Sequence, residues 1–295
     1  MKTTFIVAAA VLLAKIACAQ PDEPAPDKSQ QAQTEKQTPK PARPASIDPR
    51  LLAAGRGLKD SSWDAQLRSI QELKQDWGPR ATPLLPDICT VACTRNLKTR
   101  QAVAELIEAI DPELYDAIVP VLVDQDPTQR HKALQALPAA RNGKAAVPLV
   151  VWLARQNLAI AGTRSDTYSV GNYEARQCLR TAVELDGSDR SVIDLIHDVV
   201  SGRIRNSDAV SVAVLLMPKL SREKPFGQKS VDLLVDLLKK MPRNSPHATG
   251  PIKALEEFGP EARSALPVLR AAKLSSQVSV RQAAENAIVA IEQTP

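Results

Sequence analysis

Imidazoles, thiols and closely spaced carboxylates are the side chains that could do chemistry in this 295-residue chain, and their spacing assembles no site. The three histidines, His131, His197 and His247, fall on three separate helical segments. None belongs to a Cys/His/Asp cluster with metal-ligand spacing. Cys89 and Cys93 stand one helical turn apart, near the outer limit for a disulfide. Their bridge, with Cys178 left as a buried thiol, and three reduced core cysteines both fit that spacing. Asp186-Gly187-Ser188-Asp189 resembles the start of a calcium loop but lacks the spaced oxygens and closing Glu, so it reads as a turn. Glu105/Glu108 and Asp232/Asp236 are carboxylate pairs at helical spacing, which read as solvated faces. There is no Gly-x-Ser-x-Gly elbow, phosphate-cradling glycine loop or His-Glu-x-x-His. No catalytic residue, metal site or cofactor is expected, and the chain reads as a non-enzyme.

The elements around these residues are helical throughout. Leu97–Ile110 places Val103, Leu106 and Ile110 on one face, and Val278–Glu292 does the same with Val280, Ala284, Ala287, Ile288 and Ile291. Similar stretches alternate in two types, and no segment sustains a period of two. The pair-to-pair spacing of roughly 30 to 45 residues lies in the solenoid range. Helices of the first type carry an early proline (Pro86, Pro120, Pro148, Pro267), tolerated in a first turn because no intrahelical bond is lost there. Helices of the second type are often introduced by an arginine (Arg100, Arg130, Arg281), whereas the stretches Ser191–Pro218 and Lys229–Phe258 lack both the early proline and this arginine. Gly78, Gly143, Gly187 and Gly259 are expected to turn the chain between pairs. WGPRATPLLPDI, starting at Trp77, and FGPEARSALPVL, starting at Phe258, are two copies of one such joint.

This grammar resembles the HEAT repeat, most closely its phycobilisome-lyase-like bacterial form. Gly259, Pro260, Ala262, Ala265, Pro267, Leu269, Val280, Arg281 and Ala284 match it best. Gly78 and Pro86 match the first half, Arg100 and Val103 the second, and Asp126 with Arg130 the turn aspartate and helix-start arginine. The resemblance implies an all-α, right-handed α-α superhelix of about six helix pairs, with Ser61–Gln75 as an incomplete N-terminal cap. One pair cannot bury its apolar stripe alone, whereas stacked pairs bury a continuous core. Some proteins of the phycobilisome-lyase-like type attach bilins to cysteines. The likeness here is to the repeat and to no chromophore-binding signature, and export from the cytoplasm would separate the chain from that chemistry.

Two features point toward recognition. The long connection Asn157–Tyr173 interrupts a pair and gathers Arg164, Asp166, Tyr168 and Tyr173, residue types suited to an interface. The turns inside pairs hold Arg95, Lys98, Arg203, Arg205, Lys239, Lys240, Arg243 and Lys273, whereas those between pairs hold Asp111, Glu113, Glu184, Asp186, Asp189, Glu257 and Glu261. Stacking would align them into a basic edge, fit for an acidic protein or envelope polymer, and a more acidic one. The helix macrodipole favours the same segregation without any partner.

The N-terminal segment sets the expected location. Lys2, the apolar run Phe5–Ala14 and Ala17-Cys18-Ala19 read as a secretory leader at residues 1–19, cleaved after Ala19. Its run is about half the roughly 20 residues of a spanning helix, so no transmembrane segment is expected. Lys-Ile-Ala-Cys also resembles a bacterial lipoprotein signal with a lipid anchor at Cys18, although Lys15 occupies a position that prefers an aliphatic residue. Residues 20–50, rich in Pro, Gln and balanced charges, are expected to be a disordered linker, and residues 51–293 the repeat domain. With 38 basic residues against 33 acidic and only 3% aromatics, nothing points to nucleic acid. The expected function is that of a periplasmic or secreted scaffold for a protein partner. The alternative is an accessory, substrate-presenting subunit of an envelope enzyme.

Overall fold

A computed structural model describes residues 47–123, 126–161, 170–204, 206–223, 225–242 and 244–293. The leader, residues 20–46 of the linker and the anchor candidate Cys18 lie outside them. Every regular element among the described residues is helical. The cap comprises α1 (Pro49–Gly55), a 3₁₀ segment (Arg56–Lys59) and α2 (Trp63–Glu72), which runs on as a π turn to Trp77. Then follow α3 (Leu85–Val91), α4 (Leu97–Ile110), α5 (Pro112–Val123), α6 (Pro127–Ala136), α7 (Val147–Ala161), α8 (Val170–Asp186) and α9 (Arg190–Val200). The remainder is α10 (Ser207–Leu216), α11 (Phe226–Lys240), α12 (Thr249–Phe258), α13 (Leu266–Ala272) and α14 (Val278–Glu292). The fold is an all-α solenoid of six helix pairs behind a cap, and one continuous apolar core runs from Leu51 to Ile291.

Two layers organise the stack. The second helices α6, α8, α10, α12 and α14 pack each on the next, and the first helices α7, α9, α11 and α13 do likewise. The second pair departs from this order. Helix α5 packs principally on α4 and α6, while α3 rests directly on α7. Arg95, in the turn after α3, accordingly hydrogen-bonds Gln156 on α7 at 2.7 Å, across 61 residues of sequence. The reason is legible in α5 itself. Leu114, Ile118, Val121 and Leu122 are buried, and Tyr115, Val119 and Val123 are half-buried against the same core. A helix apolar on so much of its circumference buries more surface wedged between two helices than lying in an outer layer.

The two copies of the joint fold alike. Gly78 and Gly259 both take positive φ, at 47° and 57°. A seven-residue 3₁₀ segment follows each glycine and leads into a seven-residue helix with Pro86 or Pro267 in its first turn. Pro148 likewise sits at the second position of α7. Pro120 does not: it lies inside α5, whose first residue is Pro112, so the expected early proline of that helix is a different one. Gly143 also sits between two pairs, at the start of the 3₁₀ segment that precedes α7. It has no positive φ, and its hydrogen is needed because a Cβ would run into the Leu137 carbonyl oxygen.

The glycines give a sharp contrast in stability. No atom lies within 4 Å of a Cβ built at Gly259, so its substitution by alanine acts through the backbone alone. Gly259→Ala is expected to cost about 1–3 kcal/mol. Gly250, within α12 and with only Val214 Cγ1 at 3.9 Å, accepts a Cβ. Gly250→Ala should gain about 0.4–1 kcal/mol. Urea midpoints of the two variants, moving in opposite directions, check the assignment.

Candidate functional site

The helix-start arginines occupy one repeat position and meet three different fates. Arg281, on α14, donates from Nη1 to the carbonyl oxygens of Ser275 and Ser276 at 2.9 and 3.0 Å, closing the turn inside its own pair. Arg130, on α6, reaches the neighbouring repeat. Its Nε and Nη2 bind Oε1 and Oε2 of Glu174, on α8, at 2.7 and 3.0 Å. Arg100, on α4, has a buried Nε with no partner among the described residues. Burial, and then the nearby Arg130 charge, lower its pKa.

The Arg130–Glu174 fork is the centre of a polar seam. The two side chains are only 18% and 5% exposed, so the carboxylate has little water to fall back on. Below it, the Thr181 hydroxyl donates to the Leu134 carbonyl of α6 at 2.8 Å and accepts from the Gln177 amide, one turn back on α8, at 3.3 Å. On the other side of α8, the Asn206 amide donates to Asn172 Oδ1 at 2.8 Å, while Asn206 Oδ1 accepts from the Ala209 backbone N–H and caps α10. Directional bonds therefore fix α6, α8 and α10 against one another where apolar contacts alone would allow sliding.

An exposed cluster stands on this base. Tyr173 is 53% exposed, beside the buried Asn172 and Glu174. Its hydroxyl lies 3.2 Å from His131 Nε2, the two rings are 4.7 Å apart between centroids, and the Arg176 guanidinium lies 5.8 Å from the phenol ring. An aromatic held by a ring contact, a hydrogen bond and a cation loses little further freedom on binding. Of the connection singled out in the sequence, Tyr173 falls in the described part, and Arg164, Asp166 and Tyr168 lie outside it. His131 and Arg176 were not expected at this surface. His131 stands out in sequence only as one of three histidines, and Arg176 follows Tyr173 by three residues, a helical neighbour.

Of the basic residues singled out in the sequence, Arg95, Lys98, Arg203, Lys239, Lys240 and Lys273 are described and exposed, and most of these meet a partner on the same chain. Arg203 pairs with Asp198 at 3.1 Å, Lys239 with Asp236 at 3.8 Å and Lys273 with Glu285 at 3.7 Å. Lys98 and Lys240 make no ion pair among the described residues, and Arg205 and Arg243 lie outside these. On the opposite edge Asp189 caps α9, and Asp111 accepts from the Leu114 backbone and the Asn142 amide.

Of the two readings the cysteine spacing allowed, the structure has the one with three free thiols. Cys89 and Cys93 are not bridged: Cys93 Sγ instead donates to the Cys89 carbonyl oxygen at 3.4 Å. That back-bond is what a cysteine one turn along a helix can reach without distortion. Burial pushes both thiols up to about 12, so neither offers a thiolate. Cys178 is a buried thiol whose pKa burial also raises. Among the described residues no three His, Cys, Asp or Glu side chains converge as a metal-binding set. No helix among them is long and apolar enough to cross a membrane.

No protein-family model matches this chain, and no curated protein matches it in sequence. Among solved structures it is similar to an engineered protein at 16% identity, over 76% of this chain and 94% of that one, with a TM-score of 0.38. It is also similar to a designed armadillo repeat protein in complex with the peptide (KR)4, at 13% identity over 82% and 99% of the two chains, with a TM-score of 0.31. Neither likeness bears on what this chain binds.

Proposed function

We propose that this chain is an exported, non-catalytic scaffold, periplasmic or secreted, that holds a protein partner on the Tyr173 surface of α8. One observation carries the reading: a half-exposed tyrosine, oriented by His131 and Arg176, is mounted on a helix locked to both neighbours by buried polar bonds. Tyrosine and arginine are the residue types that dominate interface energetics, and a rigid mount limits the entropy lost on docking. The Arg176 charge favours an acidic patch on the partner. Export rests on the leader-like sequence of residues 1–19.

Photo-crosslinking tests this in the source cell. A benzophenone amino acid at position 173 should give a discrete adduct that the same probe at exposed Lys229, on α11, does not. Arg176→Ala should weaken that adduct several-fold while leaving the urea midpoint unchanged. Equal adducts at both positions, or substrate turnover by the purified chain alone, would overturn the reading.

A further inference from the structure

A separate cavity opens between the cap and the first pair, and it is built unlike the rest of the surface. Its volume is about 610 Å3, within the size range of small-molecule sites. One wall is the half-buried Trp63 indole, at the first position of α2. The lining also takes Thr94, Asn96 and Thr99 from the α3–α4 turn and the start of α4. At the same cleft Lys59 and Asp87 pair with each other at 3.2 Å, so the two charges offset each other.

The hydrogen-bonding capacity left in this cavity is mixed and uncharged. Asn96 uses Oδ1 to cap α4, accepting from the Lys98 backbone, and keeps its amide N–H2. Thr94 accepts from the Asn96 backbone and keeps its O–H. Gln66 donates its amide to the Asp60 carbonyl and keeps Oε1 as an acceptor. Thr99 is only 4% exposed and lines the cavity, and its hydroxyl, not among the buried unpartnered polar atoms, reaches the cavity surface. A hydroxyl at a cavity wall can both donate to and accept from a ligand's own hydroxyl.

We infer that this cavity binds a neutral, hydroxyl-rich ring compound, a saccharide of one or two rings, stacked on Trp63 and hydrogen-bonded by Gln66, Thr94, Asn96 and Thr99. A sugar presents a flat C–H face to an indole, and each of its hydroxyls both donates and accepts. That matches an aromatic wall together with free donors and a free acceptor and no net charge. A charged metabolite would need an unpaired counter-ion at the wall, and an apolar segment would strand the polar groups. The inference is independent of the Tyr173 surface, which lies on α8.

Calorimetric titration of the full chain with cellobiose, chitobiose and maltose, and with acyclic sorbitol as control, tests it. At least one disaccharide should bind with a dissociation constant of about 1 mM or tighter, and sorbitol should bind at least about tenfold more weakly. Trp63→Ala should weaken binding about tenfold or more, and Trp63→Tyr should retain it. Thr99→Val, which cannot hydrogen-bond but keeps the shape, should weaken binding roughly threefold to tenfold with a Tm equal to or above that of the parent. Absence of binding by all three disaccharides, equal binding of sorbitol, or full affinity in Thr99→Val would overturn the proposal.

Discussion

Glu174→Ala is expected to destabilise the solenoid by about 3–5 kcal/mol, the range for removing one partner of a buried ion pair. The carboxylate is 5% exposed and takes both arms of the Arg130 fork at 2.7 and 3.0 Å. The substitution takes away a carboxylate from a partly buried seam in which the Arg130 charge already lowers the pKa of Arg100. Urea denaturation should show a lower midpoint with little change in slope, because the surface exposed on unfolding is the same. The pair version separates the charge from the packing. Arg130→Met/Glu174→Leu removes both ions at similar volume and should recover most of the loss, because desolvation of a buried pair offsets much of its attraction. A double variant as unstable as Glu174→Ala would mean that the seam is held by shape and not by charge. Loss of the fork should also loosen α6 against α8, so His131 and Tyr173 would part and the position-173 adduct would fall even where the fold survives.

How much of this was readable beforehand divides along local and non-local lines. The joints at Gly78 and Gly259 are written in a few adjacent residues, and both fold as their shared sequence implies. The helices follow from periodicity, and in α4, α6 and α14 an arginine at the fourth residue marks one repeat position. What that arginine reaches is another matter. Glu174 lies 44 residues from Arg130, beyond a connection whose length sets no register, so nothing local pairs them. The displacement of α5 had a signal, its apolar residues on more than one face, which the assumption of strict alternation overrode. The same assumption placed Pro120 early in its helix. Grouping charges by turn found the basic residues but not their partners, because Asp198, Asp236 and Glu285 sit on the helices that flank those turns. The cavity at the cap needs Trp63 and Thr99 brought together by packing of the 3₁₀ segment and α2 against α3 and α4, a contact no sequence motif announces.

His197 should make the fold lose stability as the pH falls from about 6.5 toward 4. It sits on α9 with 2% exposure, and its Nε2 lies 2.9 Å from the Ser230 hydroxyl on α11. Nδ1 is buried with no hydrogen-bond partner among the described residues. A neutral ring needs only one N–H and tolerates this, whereas an imidazolium would carry a second N–H with nowhere to donate. Burial first, and then the charge of Lys229 on α11, lower the pKa to about 4, against the opposing pull of Asp194 and Asp198 on α9 itself. The unfolded chain takes up the proton near pH 6.5, and the folded chain does so only near 4. Between these values the unfolded state binds more protons, so stability rises with pH there and is complete above about 6.5. The full swing is on the order of 3 kcal/mol. Carboxylates also titrate toward the acid end of that window, so the decisive comparison is with His197→Gln, which can still hydrogen-bond Ser230 but does not titrate. The parent should be the more stable of the two above pH 7 or close to it, and its advantage should shrink, then reverse, as the pH falls to about 4.5. Parallel curves over that range would show that His197 accepts its proton inside the fold, and would require a partner for Nδ1 that the packing around α9 does not provide.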